Sequence, residues 1–315
     1  MKTSLVIGVV LCGLASSSCS VKKFAIKQIG DSLNSGPSVF ETDDDIELVG
    51  EALPFSLKFV ETLLAEVPND PDLLITAARG FVLYTYGYVD FEAKQVLETD
   101  LDEGRRLRAR ARRLYARGMG YGLRGLDRFY PGFENQLKTD PVAAVALLKP
   151  SKAKRDVPFL YWTAAALGLA ISVSKDDAAM LSRIPEVEAM LNRAIELDPG
   201  WDNGALPAFA VTFEGAKPTG GSRQAIDQSF RTAERMSAGK DAGLYVSYAE
   251  NVAIPEQDAV LFRDMLGKAL AVDADSVPAR RLANLIAQRR AQWLLGRIED
   301  LFLIVPETTE TTGAQ

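Results

Sequence analysis

Residues 185–199 read PEVEAMLNRAIELDP. Apolar side chains fall at Val187, Met190, Leu191, Ala194 and Ile195, the i, i+3, i+4, i+7, i+8 spacing that lays one buried stripe along an α-helix. Pro185 suits the first turn, where its missing N–H is not needed, and Pro199-Gly200 ends the segment. The frame recurs. It falls in full on Phe262, Met265, Leu266, Ala269 and Leu270, and in part on Ile226, Ser229, Phe230, Ala233 and Glu234. The copies start at 187, 226 and 262, so the spacings are 39 and 36 residues. Periods of this size mark stacked helix pairs.

The rest of the chain is organised around that repeat. Partner helices are expected over 203–214, 242–253 and 277–303, the last as a C-terminal cap that hides the outer face of the stack. Upstream, 53–67 and 72–89 make another pair around Pro68-Asn69-Asp70-Pro71, and 105–129 is one long helix. An irregular stretch is expected within 132–150. Short alternating runs rich in valine, isoleucine and threonine are almost absent, so strands are not expected. The tetratricopeptide period is about 34 residues, and its second helix ends in an alanine five residues before a proline. Ala194 and Pro199 fit that ending, whereas Ala269 is followed by Ala274. The first helices lack the tryptophan, leucine, glycine and tyrosine signature. The fold class is therefore all-α: stacked antiparallel helix pairs in a degenerate tetratricopeptide-like repeat solenoid.

The first residues carry a different message. Lys2 precedes an apolar run over 5–14, then Ala15-Ser16-Ser17-Ser18 precede Cys19. That is the order of a secretory signal, and a cysteine just past small residues is similar to a bacterial lipoprotein signal, in which the thiol is acylated. Leu14 sits one or two positions farther from the cysteine than is usual, with Ser16 in its place. The expected division is a signal peptide at 1–18, a lipid-anchored linker at 19–45, a helical repeat domain at 46–307 and a disordered tail at 308–315. A plain signal peptide with a chance cysteine is the alternative. The other cysteine, Cys12, lies in the removed segment, and the chain has no histidine. Cysteine nucleophiles, serine–histidine catalysis and the usual zinc, copper or haem sites are thereby excluded, and no cofactor is implied. A net charge of −6 gives no support for nucleic-acid binding. The apolar run 157–173, VPFLYWTAAALGLAISV, is at the lower limit for a membrane span. Its small residues fit a buried helix better.

Residues 114–133, LYARGMGYGLRGLDRFYPGF, resemble the T component of TRAP transporters, the TatT-like lipoproteins. So do 161–177 (YWTAAALGLAISVSKDD), 185–199, 245–258 (YVSYAENVAIPEQD) and 281–302 (RLANLIAQRRAQWLLGRIEDLF). The resemblance implies an all-helical periplasmic lipoprotein with degenerate repeats that forms a homotrimer. It also implies a TRAP-type periplasmic solute-binding protein as partner, and passage of a small apolar ligand through a pore in each protomer. One departure is visible: after Gly204-Ala205-Leu206 the family usually has a histidine, and here Pro207 stands. Ser20 after the acylated cysteine slightly favours the outer membrane over the inner. The alternative function is a general tetratricopeptide-like scaffold lipoprotein of envelope assembly, which would be a monomer without a passage. A two-carboxylate hydrolase is a third reading, but no acid–base pair is recognisable, and the chain is not expected to be an enzyme.

The candidate site residues follow. Tyr121, Tyr161 and Trp162 are read as core residues or as a ligand-facing wall, since amphipathic aromatics suit both. Lys175 and Asp176, beside Asp177, are either a helix end with the next cap or the polar rim of a ligand opening. Arg105 and Arg112, in a dense arginine run, and Trp201 are candidate partner-docking residues. The same arginines are alternatively a solvated face neutralised by nearby acids. Gly118, Gly120, Gly122 and Gly125 in one helix point to close helix packing or a backbone-lined passage. Replacing Cys19 with alanine is expected to abolish incorporation of labelled palmitate; an acylated Cys19→Ala product would contradict the lipoprotein reading.

Overall fold

A computed structural model describes residues 26–30, 32, 38–218 and 220–303. The signal segment, Cys19, the start of the linker, the end of the domain and the tail lie outside them. All regular structure among the described residues is helical: α1 (Ile46–Glu66), α2 (Pro71–Tyr84), α3 (Asp90–Val96), α4 (Leu101–Phe129), α5 (Phe133–Thr139), α6 (Pro141–Ala146), α7 (Ala153–Ser172), α8 (Ala178–Leu181), α9 (Ile184–Leu197), α10 (Ala205–Ala216), α11 (Arg223–Met236), α12 (Ala242–Tyr248), α13 (Ala259–Ala271), α14 (Arg281–Leu295) and α15 (Ile298–Leu301). Asp45, Asp70, Asp100, Asp140, Asp177, Asp241 and Asp258 each accept backbone N–H bonds at a helix start. Many of the chain's acids are therefore caps, placed where the helix dipole favours a negative charge.

The repeated frame is buried as its spacing requires. Val187, Met190, Leu191 and Ala194 of α9 face the interior, as do Phe262, Met265, Leu266 and Ala269 of α13 and Ile226, Phe230 and Ala233 of α11. The apolar run at 157–173 lies mostly in α7, which packs against α2, α4, α9 and α10. No helix among the described residues is long and apolar enough to cross a membrane.

Two segments differ from expectation. The stretch 132–150 is irregular only in part, at 147–149, and otherwise mainly helical: Phe133 and Leu137 bury one face of α5, and Asp140-Pro141 restarts the chain as α6. The expected helix over 277–303 is broken. A 3₁₀ turn at Pro278–Arg280 precedes α14, and Gly296-Arg297 separates α14 from α15. Nor does α14 merely cap one end. A large apolar cluster runs from Ile26 to Phe213 and a second from Val211 to Phe302, with α10 contributing to both. A third cluster joins Ile46 and Val49 of α1 to Leu282 of α14, with Phe40, Tyr88 and Ile286 packed against it. The Leu282 N–H donates to the Glu41 carbonyl at 3.1 Å, Arg281 meets Asp44 at 3.2 Å, and Arg289 pairs with Glu47. Thus α10 contributes to both large cores, and α14, which belongs to the second, also packs on α1, which belongs to the first. The chain closes on itself.

The glycines of α4 serve close packing. A methyl at Gly122 would overlap Thr163 of α7, one at Gly125 would overlap the Phe159 ring, and one at Gly118 would lie 3.1 Å from the Ala78 carbonyl; Gly120 meets nothing within 4 Å. Gly125→Ala is expected to lower stability by about 1–3 kcal/mol through overpacking. Gly120→Ala is expected to raise it by about 0.5–1 kcal/mol through helix propensity. Equilibrium urea unfolding of both variants checks the contrast, and equal effects would contradict the packing.

Candidate functional site

Charged and polar side chains from several separate segments converge in the interior of the chain. Two π-helical turns, Thr85–Val89 and Ala249–Ala253, help shape this centre. Such turns widen a helix by one residue and recur at functional sites. The first carries Tyr86 and the second Glu250. Arg290 of α14 connects them. Its guanidinium donates to Glu250 Oε1 at 2.7 Å, lies 5.3 Å from the Tyr86 ring centroid and 5.9 Å from that of Phe91, and its side chain is only 5% exposed. Its Nε has no hydrogen-bond partner among the described residues. Lys94 adds a second cation 3.7 Å from Glu250. Burial works against both charged forms. The facing charges outweigh it, holding the Glu250 carboxyl below its usual range and raising the Arg290 guanidinium.

Next to this pair lies an aromatic group with a charged rim. Tyr161 contacts Trp162 at 4.8 Å, Trp201 at 4.7 Å and Phe209 at 6.0 Å between centroids, with the rings inclined to one another. The Arg79 guanidinium lies 6.0 Å from the Trp162 ring and pairs with Glu41. Trp201 opens the sequence Trp201-Asp202-Asn203-Gly204, in which Asp202 (φ 47°), Asn203 (φ 50°) and Gly204 (φ 99°) are all left-handed. Two consecutive non-glycine residues in that region cost energy, and the surrounding packing must hold them there. Arg280 holds this loop: it donates to the Asp202 carbonyl at 2.6 Å and to the Asp241 carboxylate at 2.8 Å. Burial raises the Asp202 carboxyl against the pull of Arg280 and Arg79, and raises both Tyr86 and Tyr161. Tyr86 and Tyr161 are each half-buried. Neither hydroxyl bonds a described residue. These groups together form a half-buried polar and aromatic centre.

The sequence-derived candidates separate in space. Tyr161, Trp162 and Trp201 come together here, so Trp201 lies with the aromatic group rather than on the arginine face. Tyr121 lies elsewhere: it donates to Glu61 at 2.7 Å, stacks on Phe81 at 5.9 Å, and shares Glu61 with Arg117. Lys175 and Asp176 are exposed beyond the far end of α7, about 16 Å along the helix from Tyr161 at the usual rise per residue. The neighbouring Asp177 caps α8 and accepts from Arg112 at 2.5 Å. Arg105 pairs with Asp102 at 3.8 Å. Pro207 is buried in the first turn of α10. Sequence reading overlooked Arg79, Tyr86, Asp202, Asp241, Glu250, Arg280 and Arg290. Arg79 did carry a signal, being the only charge between Leu73 and Phe91 apart from Asp90.

The Glu250–Arg290 pair predicts a pH dependence. The folded pKa of Glu250 is lowered, so its contribution is complete above the unfolded value near 4.5 and is lost as pH falls through the folded value. Glu250→Gln, which leaves a buried cation unpaired, is expected to cost about 3–5 kcal/mol. It should also flatten the fall of the urea midpoint as pH drops below about 4.5, since the stabilisation by the wild-type carboxylate is lost on that side. A variant with wild-type stability and an unchanged pH slope would contradict the pairing.

Comparison with known proteins agrees with this fold. The chain is 28% identical over 306 residues to an uncharacterized protein of Treponema pallidum (strain Nichols), covering 92% of this chain and 95% of the relative. The family model described as TRAP transporter T-component matches residues 42–302. With the match spanning all but the ends of the sequence, the chain belongs to the TRAP transporter T-component family.

Proposed function

We propose that this chain is a lipid-anchored periplasmic accessory protein of a TRAP-type transport system. It docks a solute-binding protein and passes a small ligand through its half-buried centre. Acylation at Cys19 holds it to a membrane, with the outer membrane favoured. Stacked tetratricopeptide-like helix pairs supply the body, and three copies assemble as a homotrimer. The work is binding and conduction, without catalysis, so the needed physics is surface complementarity and a low barrier through the centre.

The observation that carries this reading is the closure of the chain by α14, with Tyr86 and Tyr161 half-buried among charged groups in its interior. Family membership supplies the transport context. A wholly apolar ligand, implied by the family resemblance, suits the ring cluster but not the charged groups beside it, because those groups lose water without gaining a partner. The arginine face of α4 supports docking to an acidic partner: Arg105, Arg108 and Arg113 project outward from one helix. Screening by salt would weaken such a contact.

Affinity capture of a TRAP-type solute-binding protein from the same organism on the purified chain tests the reading. Saturable capture that weakens in about 0.5 M salt is expected, together with a trimer by sedimentation. A monomer that never retains the binding protein would favour the general envelope scaffold instead.

A further inference from the structure

The charges around the aromatic group do not cancel. Arg79 is engaged by Glu41. Arg280 makes its close contacts with the Asp241 carboxylate at 2.8 Å and the Asp202 carbonyl at 2.6 Å. That leaves the Asp202 carboxylate 3.7 Å from Arg280, with Arg79 also facing it and its side chain 54% exposed. The left-handed turn at Asp202 and Asn203 fixes this arrangement, since it gives the carbonyl to Arg280 and turns the following backbone into α10. The Tyr161 hydroxyl, which bonds no described residue, is a second acceptor in the electrostatic reach of Asp202. Inclined faces of Tyr161, Trp162 and Trp201 complete the surroundings.

We propose that this ring cluster with its half-exposed carboxylate binds a small organic cation, a primary ammonium on an aromatic or similarly apolar body. The ammonium lies against the Asp202 carboxylate and the Tyr161 hydroxyl, and the body lies against Trp201, Tyr161 and Trp162. An anion would meet the loosely paired carboxylate and gain nothing from Arg79 or Arg280, whose close bonds are already made. A neutral apolar molecule would cover the rings but strip water from Asp202 without replacing its partner. A cation gains from the carboxylate and from the negative faces of the rings together. The inference rests on the reading of the centre as a ligand passage and names the class of ligand it takes.

Two of the chain's three tryptophans, Trp162 and Trp201, lie in this ring cluster, so intrinsic fluorescence reports occupancy directly. The probes are phenethylamine (protonated at neutral pH), 2-phenylethanol and phenylacetate, which share a body and differ in charge. The full chain should bind phenethylammonium at least about tenfold more tightly than either of the others, confirmed by calorimetry. Asp202→Asn should bring its affinity down to that of 2-phenylethanol, with an unchanged circular dichroism spectrum. The proposal is overturned by phenylacetate or 2-phenylethanol binding as tightly as the amine, by no saturable response to the amine in either measurement, or by a folded Asp202→Asn variant that keeps full selectivity. The comparison of three probes on the unmodified chain stands even where the variant fails to fold. Capture of the solute-binding protein without cation selectivity would sink this inference alone; cation selectivity without capture would sink the docking role alone.

Discussion

A buried guanidinium is costly unless its charge is met, and Arg290 is the point at which this molecule meets that demand. It draws Glu250 from one π turn, lies over Tyr86 from the other, and belongs to the helix that also packs on α1. Three distant parts of the chain thus depend on one ion pair that neither could leave without exposing an uncompensated charge. The apolar clusters supply most of the folding energy, but they are not directional. The Arg290 pair, the Arg289–Glu47 and Arg281–Asp44 pairs and the Leu282–Glu41 bond give the closure its register.

Closure has a functional consequence. An open pile of helix pairs presents its inner side chains to bulk solvent. In a chain whose last long helix returns to its first, the inner side chains are held against one another. That set is polar where a core would be apolar: Arg79, Asp202, Asp241 and Arg280 lie beside four aromatic rings, and two π turns widen the helices that face them. The strain at Asp202 and Asn203 is kept here and not in a surface loop, which agrees with its place among the groups that would touch a ligand.

Much of the fold could be read from periodicity. The frame of Val187, Met190, Leu191, Ala194 and Ile195 predicted its own burial and that of its copy at Phe262, because helical burial depends on local spacing. The short helices α5 and α6 were missed, as a single capping aspartate and two apolar residues are a weak local signal. The break at Gly296 was missed because an isolated glycine does not always end a helix. The site was less legible. Tyr161, Trp162 and Trp201 were named, and they do meet; Tyr121, Lys175 and Asp176 lie apart from them. Asp202, Arg280 and Arg290 escaped notice because each is an ordinary charged residue until the chain closes, and closure joins positions such as Glu47 and Arg289 that no local pattern connects.

The central claim is that the chain closes through α1 and α14. Spin labels at Glu51 and Gln292, exposed positions one turn beyond the Glu47–Arg289 pair, measure it without disturbing that contact. Pulsed electron–electron resonance should give one narrow, short-distance population in a background lacking Cys12 and Cys19. A long or broad distribution, as expected of an open superhelix with separate ends, would contradict the account.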